Sequence, residues 1–239
     1  MERSRHLFTS RAGGVSSGAW ASLNLRRSCG DAPENVRENF RRLKEMIGCG
    51  NLVYLSQQHT NRILRVGVED AVPDPYTTLR EADGLITSTP ELGLMVFSAD
   101  CVPILMEGEG VVAAIHAGWR GTVAGIAAKA VREMGCDPSR IRAWIGPAIG
   151  VCCYQVGDEV RRAMRGLLGT EAEPFINGDR VDLKGFNRRL LELSGVERID
   201  VSPVCTMCSH DEYWSHRYTG GDRGVQGGVI VLNRREESV

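Results

Sequence analysis

Long apolar runs are missing from this chain. None approaches the roughly 18–20 residues that a bilayer-crossing helix requires, so no helical membrane span is expected. Charge of one sign is missing too. With 29 Lys and Arg against 30 Asp and Glu, the net charge is −1, and there is no basic footprint for nucleic acid or anionic lipid. Behind Met1-Glu2-Arg3-Ser4-Arg5-His6 there is no apolar segment of the kind a secretion signal needs. We therefore expect a cytoplasmic protein whose eight cysteines are thiols, not disulfides. Histidine is scarce, at five residues, which limits how many imidazoles any metal centre could recruit. No repeat, low-complexity segment or linker divides the sequence, and we expect one domain over residues 1–239.

What is present gathers around Phe97–Gly121, FSADCVPILMEGEGVVAAIHAGWRG. Two apolar runs, Val102–Met106 and Val111–Ile115, flank Glu107-Gly108-Glu109-Gly110, a polar glycine-containing turn that predicts a β-hairpin. Such a hairpin brings Cys101, just before the first strand, close to His116, at the end of the second. The corner Ala117-Gly118-Trp119-Arg120-Gly121 then leads into Thr122–Met134, which has the composition of one helix.

Elsewhere, Leu7–Ser10 reads as a first strand, followed by a Gly- and Ser-rich loop, Arg11–Gly18, whose backbone could approach a ligand. Val36, Phe40, Leu43 and Ile47 fall at helical spacing, with Asp31 as the expected N-cap and Pro33 in the first turn. Further strands are expected at Leu52–Leu55, Ile63–Val68, Ala82–Thr87, Ile141–Ile145, Ile199–Val204 and Gly228–Leu232. Helices are expected at Asp158–Leu168 and Lys184–Leu193, and a polar tail from Arg234 onward. Strands and helices mix without a strict βαβ rhythm, which points to an α+β domain with a mixed sheet.

Four constellations could carry chemistry. His59, Cys101 and His116 are all good ligands for Zn²⁺, and three protein ligands leaving a fourth position open is the catalytic pattern. The same two His and one Cys also suit Cu²⁺, with Met95 or Met106 as an axial ligand. Alternatively, Cys101 is a nucleophile with His116 as its base and Asp100 or another carboxylate as orienter. The third is Cys205-Thr206-Met207-Cys208-Ser209-His210, with His216 further on. A CxxC beside two His invites a zinc-knuckle or redox assignment, but it lacks the second, well-spaced pair of a structural zinc site, and a surface thiol pair is the plainer reading. The fourth is an anion site, where Arg120 adds a charge-assisted contact at a helix N-terminus.

The motifs carry a resemblance over nearly the whole chain. It rests on Phe8-Thr9-Ser10-Arg11-Ala12-Gly13-Gly14-Val15-Ser16, Gln57-Gln58-His59, Ala82-Asp83-Gly84-Leu85-Ile86-Thr87, Ser98-Ala99-Asp100-Cys101-Val102-Pro103, Ile145–Gly150 and above all His116-Ala117-Gly118-Trp119-Arg120-Gly121. Together they resemble the bacterial YfiH-like, laccase-domain family (DUF152), described both as multicopper polyphenol oxidases and as purine nucleoside phosphorylases with adenosine deaminase activity. The resemblance implies a compact mixed-sheet αββα sandwich of the CNF-toxin and YfiH-like kind. It also implies a metal site of His59, Cys101 and His116, holding Zn²⁺ or, alternatively, Cu²⁺.

Five histidines, two already committed, cannot ligate the trinuclear copper cluster of a laccase, so phosphorolysis is the expected activity. Inosine, adenosine and methylthioadenosine are the expected nucleosides. Phosphate is expected at Arg120, and the nucleoside at Arg11, Asn24, Gln57 and Arg217. Cys101, His116, His59 and Arg120 are the expected catalytic groups. A Cys–His hydrolase or amidase, a copper-dependent oxidase and a non-catalytic metal-binding module are the alternatives. The chain departs from the family pattern at Thr60, where Gly is usual. It departs again at Ser215-His216-Arg217-Tyr218 and Gly224-Val225-Gln226, where an arginine is lost and Arg217 and Arg223 are the candidates to compensate.

Overall fold

Several strand segments are apolar at every position because both of their faces are covered. In the computed structural model, which describes residues 3–77 and 79–234, twelve strands and six α-helices are laid out in chain order. The first sheet holds β1 (Ser4–Phe8), β2 (Asn51–Val53), β5 (Leu92–Ser98) and β12 (Gln226–Leu232), in the order β1-β12-β5-β2. The second holds β3 (Ile63–Arg65), β4 (Gly84–Thr87), β6 (Val102–Gly108), β7 (Val111–Ala117), β8 (Arg142–Ile145) and β11 (Arg198–Val201). Their order is β11-β8-β6-β7-β4-β3. Both sheets are mixed: β2 pairs parallel to β5, β3 to β4 and β11 to β8, and the other pairs are antiparallel. A small ribbon of β9 (Ile176–Asn177) and β10 (Arg180–Val181) stands apart.

Alternation along the strands assigns each side chain to a layer. Leu92, Leu94 and Val96 of β5 and Ile230 of β12 meet Leu85, Leu105, Val112 and Ala114 of the second sheet in a dry central layer. The intervening Met95, Val229 and Val231 face outward, where α1 (Pro33–Ile47) covers them with Val36, Phe40, Leu43 and Ile47. On the opposite outer face, Ile104, Met106, Ala113 and Ile115 pack under α3 (Ile126–Met134) and α5 (Leu183–Leu193). The result is the four-layer αββα sandwich. Beside it, α4 (Asp158–Leu168) and α5 share a satellite cluster around Phe186 and Met164.

The hairpin forms as expected, with a tighter turn: β6 and β7 run through Gly108 and Val111, leaving Glu109-Gly110 between them, and Pro103 pairs with His116. The single helix expected over 122–134 is two. A short α2 (Trp119–Val123) ends at Ala124, and Gly125, at φ 72°, starts α3 in a new direction. Asp31 is not the N-cap of α1; Ala32 is, while Asp31 accepts from Ser16, Asn24 and Asn35. The N-terminal strand lies at 4–8, not 7–10, and the extended segment from Ile63 gives way to a 3₁₀ turn at Val68–Asp70.

The Arg11–Gly18 loop is tied to α1 by Asn39, a fully buried amide on the helix's apolar side. Its Oδ1 accepts from Val15 N (2.9 Å), and its Nδ2 donates to Ser16 Oγ (2.9 Å) and Asn24 O (2.9 Å). The expected tail beyond Arg234 lies outside the described residues. Among the described residues, no helix is long and apolar enough to cross a membrane.

Candidate active site

Three loops end at one place. His116 closes β7 as a buried side chain, half-buried Cys101 lies just before β6, and His59 sits at the exposed mouth on the loop after β2. Their candidate ligand atoms all lie within 4.8 Å of one another. Cys101 Sγ is 3.7 Å from His59 Nε2, and the two imidazoles meet edge to face with centroids 4.9 Å apart. Gly118 makes the approach feasible: a Cβ there would stand 2.7 Å from His59 Cδ2 and 3.2 Å from Cys101 Sγ.

The residue that organises this cluster is Asp83, which the sequence shows only as one member of a motif. It is fully buried at the start of β4. Its Oδ1 lies 2.8 Å from His116 Nδ1 and accepts from His59 N at 2.9 Å. Its Oδ2 accepts from Thr60 N (2.7 Å) and Thr60 Oγ1 (2.8 Å), and Gln58 N is 3.1 Å from Oδ1. One carboxylate thus orients the ring of His116 and the backbone turn of His59, a turn in which His59 adopts φ 60°. Thr60, a departure from the family pattern, supplies a hydroxyl to that carboxylate. An acidic residue at the head of an otherwise apolar strand was the available signal.

The electrostatics follow from these contacts. Burial alone would raise the Asp83 carboxyl, but hydrogen bonds from His116 and Thr60 hold it well below the usual carboxylate range. Burial likewise pushes the Cys101 thiol up, yet His116 and His59 outweigh it and bring the thiol down to about 6. Against its own burial, His116 is raised to about 9 by the Cys101 charge and the Asp83 hydrogen bond. Without a metal, the pair is thiolate and imidazolium.

Asp100 is not the carboxylate that orients His116. Its Oδ1 accepts from Thr206 Oγ1 and its Oδ2 from Arg217 N, both at 2.6 Å, so it ties the C-terminal loop to the residue next to Cys101. Arg217 lies over the Tyr154 ring at 5.5 Å and donates to Gln155 O. Burial, then the Cys101 charge, push the Tyr154 phenol up to about 12, opposed by Arg217 and Arg120. Arg120 is exposed on α2, stacked over Trp119 at 4.3 Å. Arg223 leaves its buried Nε without an acceptor and is held below its usual pKa by burial and by Arg26, with Asp100 and Cys101 opposing. Among the described residues, Arg120, Arg217 and Arg223 have no carboxylate within 4.0 Å.

The other expected nucleoside contacts have internal partners. Gln57 bridges both backbone groups of Phe97, with Nε2 to O at 2.9 Å and N to Oε1 at 2.6 Å. Asn24, fully buried, donates to Asp31 Oδ2 and accepts from Arg26 N. Arg11 donates to Ala21 O and His210 O and lies over Trp214. Their polar groups shape the loops from within. The helix expected to present its N-terminus at Arg120 is the short α2, so a long helix dipole does not support an anion there.

The site can hold a soft or borderline cation, and the donor set fits: two imidazoles and a thiolate converge, and Asp83 on His116 Nδ1 is the outer-shell partner that metal-bound histidines generally have. The remaining histidines lie elsewhere: His6 beside Trp144, His210 stacked on Tyr218, His216 near Arg223.

The fold is an αββα sandwich that brings two histidines and one cysteine together at the head of its hairpin, and comparison with known proteins places it in a family. Residues 5–233 match the family model described as multi-copper polyphenol oxidoreductase laccase, and the chain belongs to this YfiH-like, DUF152 family. It is 38% identical over 237 residues to a purine nucleoside phosphorylase of Corynebacterium glutamicum, covering 95% of this chain and 94% of that one. It is also 38% identical over 218 residues to the purine nucleoside phosphorylase YfiH of Escherichia coli, covering 87% and 86%. The crystal structure of the Bacillus licheniformis hypothetical protein YfiH superposes with a TM-score of 0.90 at 35% identity, over 96% of this chain and 93% of that one.

Proposed function

We propose that this chain is a metal-dependent purine nucleoside phosphorylase acting on inosine and adenosine, with methylthioadenosine as a further substrate and adenosine deamination as a second activity. The observation that carries the reading is the convergence of His59, Cys101 and His116, with Arg217 tied by its backbone N to Asp100, next to Cys101, and with Arg120, Arg217 and Arg223 lacking carboxylate partners among the described residues. Cations left unpaired around a metal-binding triad suit an anionic co-substrate. The activity named for the relatives supports phosphate in that role.

His59, Cys101 and His116 would hold Zn²⁺, or Cu²⁺ as the alternative, and the ion supplies Lewis-acid polarisation of a substrate oxygen. The chain does the rest. Asp83 fixes the proton on His116 Nδ1 and turns Nε2 toward the site. Arg120 binds phosphate, and Arg223 offers a buried Nε–H that has no acceptor. Tyr154, kept protonated by burial, donates to the nucleoside, and Arg217 is positioned against it.

Incubation with inosine and adenosine, with and without phosphate, tests the reading, with Cys101→Ala as the control. Phosphate-dependent release of hypoxanthine or adenine that disappears in the variant supports it. Inosine formed from adenosine with no phosphate-dependent base release assigns a site that is primarily a deaminase instead. One observation favours a second reading: Cys101, His116 and Asp83 line up as nucleophile, base and orienter, as a cysteine hydrolase requires. That enzyme would survive a chelator and die on alkylation.

A further inference from the structure

Away from the active site, the fold assembles a second cysteine cluster. The turn after β8 carries Cys152 and Cys153, and the loop after β11 carries Cys205 and Cys208. All four sulfurs lie within 4.8 Å of one another. Cys208 Sγ is 3.5 Å from Cys152 Sγ and 3.4 Å from Cys153 Sγ. All four are free thiols. The Cys205–Cys208 pair, isolated in the sequence, thus has the second pair that a structural zinc site needs, delivered by the parallel bridge between Ala148 and Cys205.

We propose that Cys152, Cys153, Cys205 and Cys208 form a tetrathiolate site for a structural Zn²⁺, distinct from the His59–Cys101–His116 centre. With Zn–S near 2.3 Å, the edge of a zinc tetrathiolate tetrahedron is about 3.8 Å, so the observed separations need only small adjustments. A disulfide would use two of the sulfurs and leave two thiols crowded beside it.

The surroundings suit a negatively charged centre. Gly150 N donates to Cys205 Sγ at 3.2 Å, the kind of outer-shell bond that supports a metal thiolate. A Cβ at Gly150 would stand 3.2 Å from Cys152 Sγ, so glycine keeps the space open. Lys184 is buried, its Nζ donating to Ser202 O (2.7 Å) and Val204 O (2.8 Å) just before Cys205, with Asp182, Cys205 and Cys152 as neighbours that would carry negative charge when ionised. Each thiol that ligates surrenders its proton, and the lysine offsets part of the resulting charge.

The site's place in the fold gives it a role. Beyond Cys153, Tyr154 and Gln155 receive Arg217; next to Cys205, Thr206 holds Asp100. A metal joining the two turns fixes the loop that carries Arg217 beside Cys101.

Zinc content decides the matter. Protein purified under reducing conditions, loaded with Zn²⁺ and freed of excess, is expected to hold about two ions per chain by elemental analysis. Cys205→Ser/Cys208→Ser and, separately, His59→Ala/Cys101→Ala should each hold about one. The latter variant leaves the four thiols untouched, so the result stands even if the serine variant misfolds. Its Co²⁺ form should show the intense thiolate-to-cobalt charge-transfer absorption of a four-sulfur site. Loss of all bound metal in His59→Ala/Cys101→Ala, or a disulfide among these cysteines in the reduced, zinc-loaded protein, overturns the proposal.

Discussion

Asp83 Oδ1 lies 2.8 Å from His116 Nδ1, and the backbone repeats the contact, with His116 N donating to Asp83 O at 2.8 Å. Two neighbouring strands are therefore coupled at His116 itself. Because the same carboxylate receives the 58–60 turn, Asp83→Asn places an NH₂ group against donors. We expect metal affinity to fall about 10–100-fold, as for other outer-shell substitutions. Competition against a chromophoric chelator measures it, and wild-type affinity would remove Asp83 from its organising role.

Gly118 is a steric condition for the site. Gly118→Ala introduces a Cβ at 2.7 Å from His59 Cδ2, and His59 must move away from Cys101. Bound metal and turnover should fall together, while the melting temperature shifts little, since the contact lies at the mouth and not in the core. An unfolded or an unaffected variant would each contradict this account.

The thiolate–imidazolium pair makes a prediction about pH. With the Cys101 thiol brought down to about 6, metal-free protein has a reactive thiolate above that pH and loses it below. Alkylation of Cys101 by iodoacetamide, followed by peptide mass spectrometry, should accelerate through pH 6, not through the ordinary thiol range near 8.5. Saturating Zn²⁺ should protect it. A midpoint above 8 would falsify the ion pair.

Arg120 can be separated from the metal. Arg120→Ala should leave metal content unchanged and raise the phosphate KM by about 10–100-fold, matching the roughly 1.5–3 kcal/mol of a charged hydrogen bond. Steady-state kinetics at varied phosphate give the answer, and an unchanged KM would transfer the phosphate role to Arg223.

Between the sheets, Leu105 is fully buried among Leu85, Leu94 and Val112. Leu105→Ala should cost about 2–5 kcal/mol. Urea denaturation of the metal-loaded protein reads the loss, and a smaller cost would mean that the two layers close over the cavity.

What the sequence by itself determined was local. Two apolar runs and a glycine-containing turn made the 102–117 hairpin readable, and helical spacing from Val36 to Ile47 made α1 readable, because each pattern is written in residues close together in sequence. His59, Cys101 and His116 were legible as candidate ligands through their motifs, and the fold brings them together. Tertiary structure alone decided the groups whose meaning depends on distant partners. Asp83 is one acidic residue until β4 pairs with β7 and the 58–60 turn folds over it. Asn24, Gln57 and Arg11 look like exposed binding groups until the loops close and occupy their hydrogen bonds. Cys152-Cys153 and Cys205–Cys208 become one cluster only when the segments after β8 and β11 lie side by side. Local periodicity reports which face of an element is buried, whereas polar groups are identified by the partners that packing supplies.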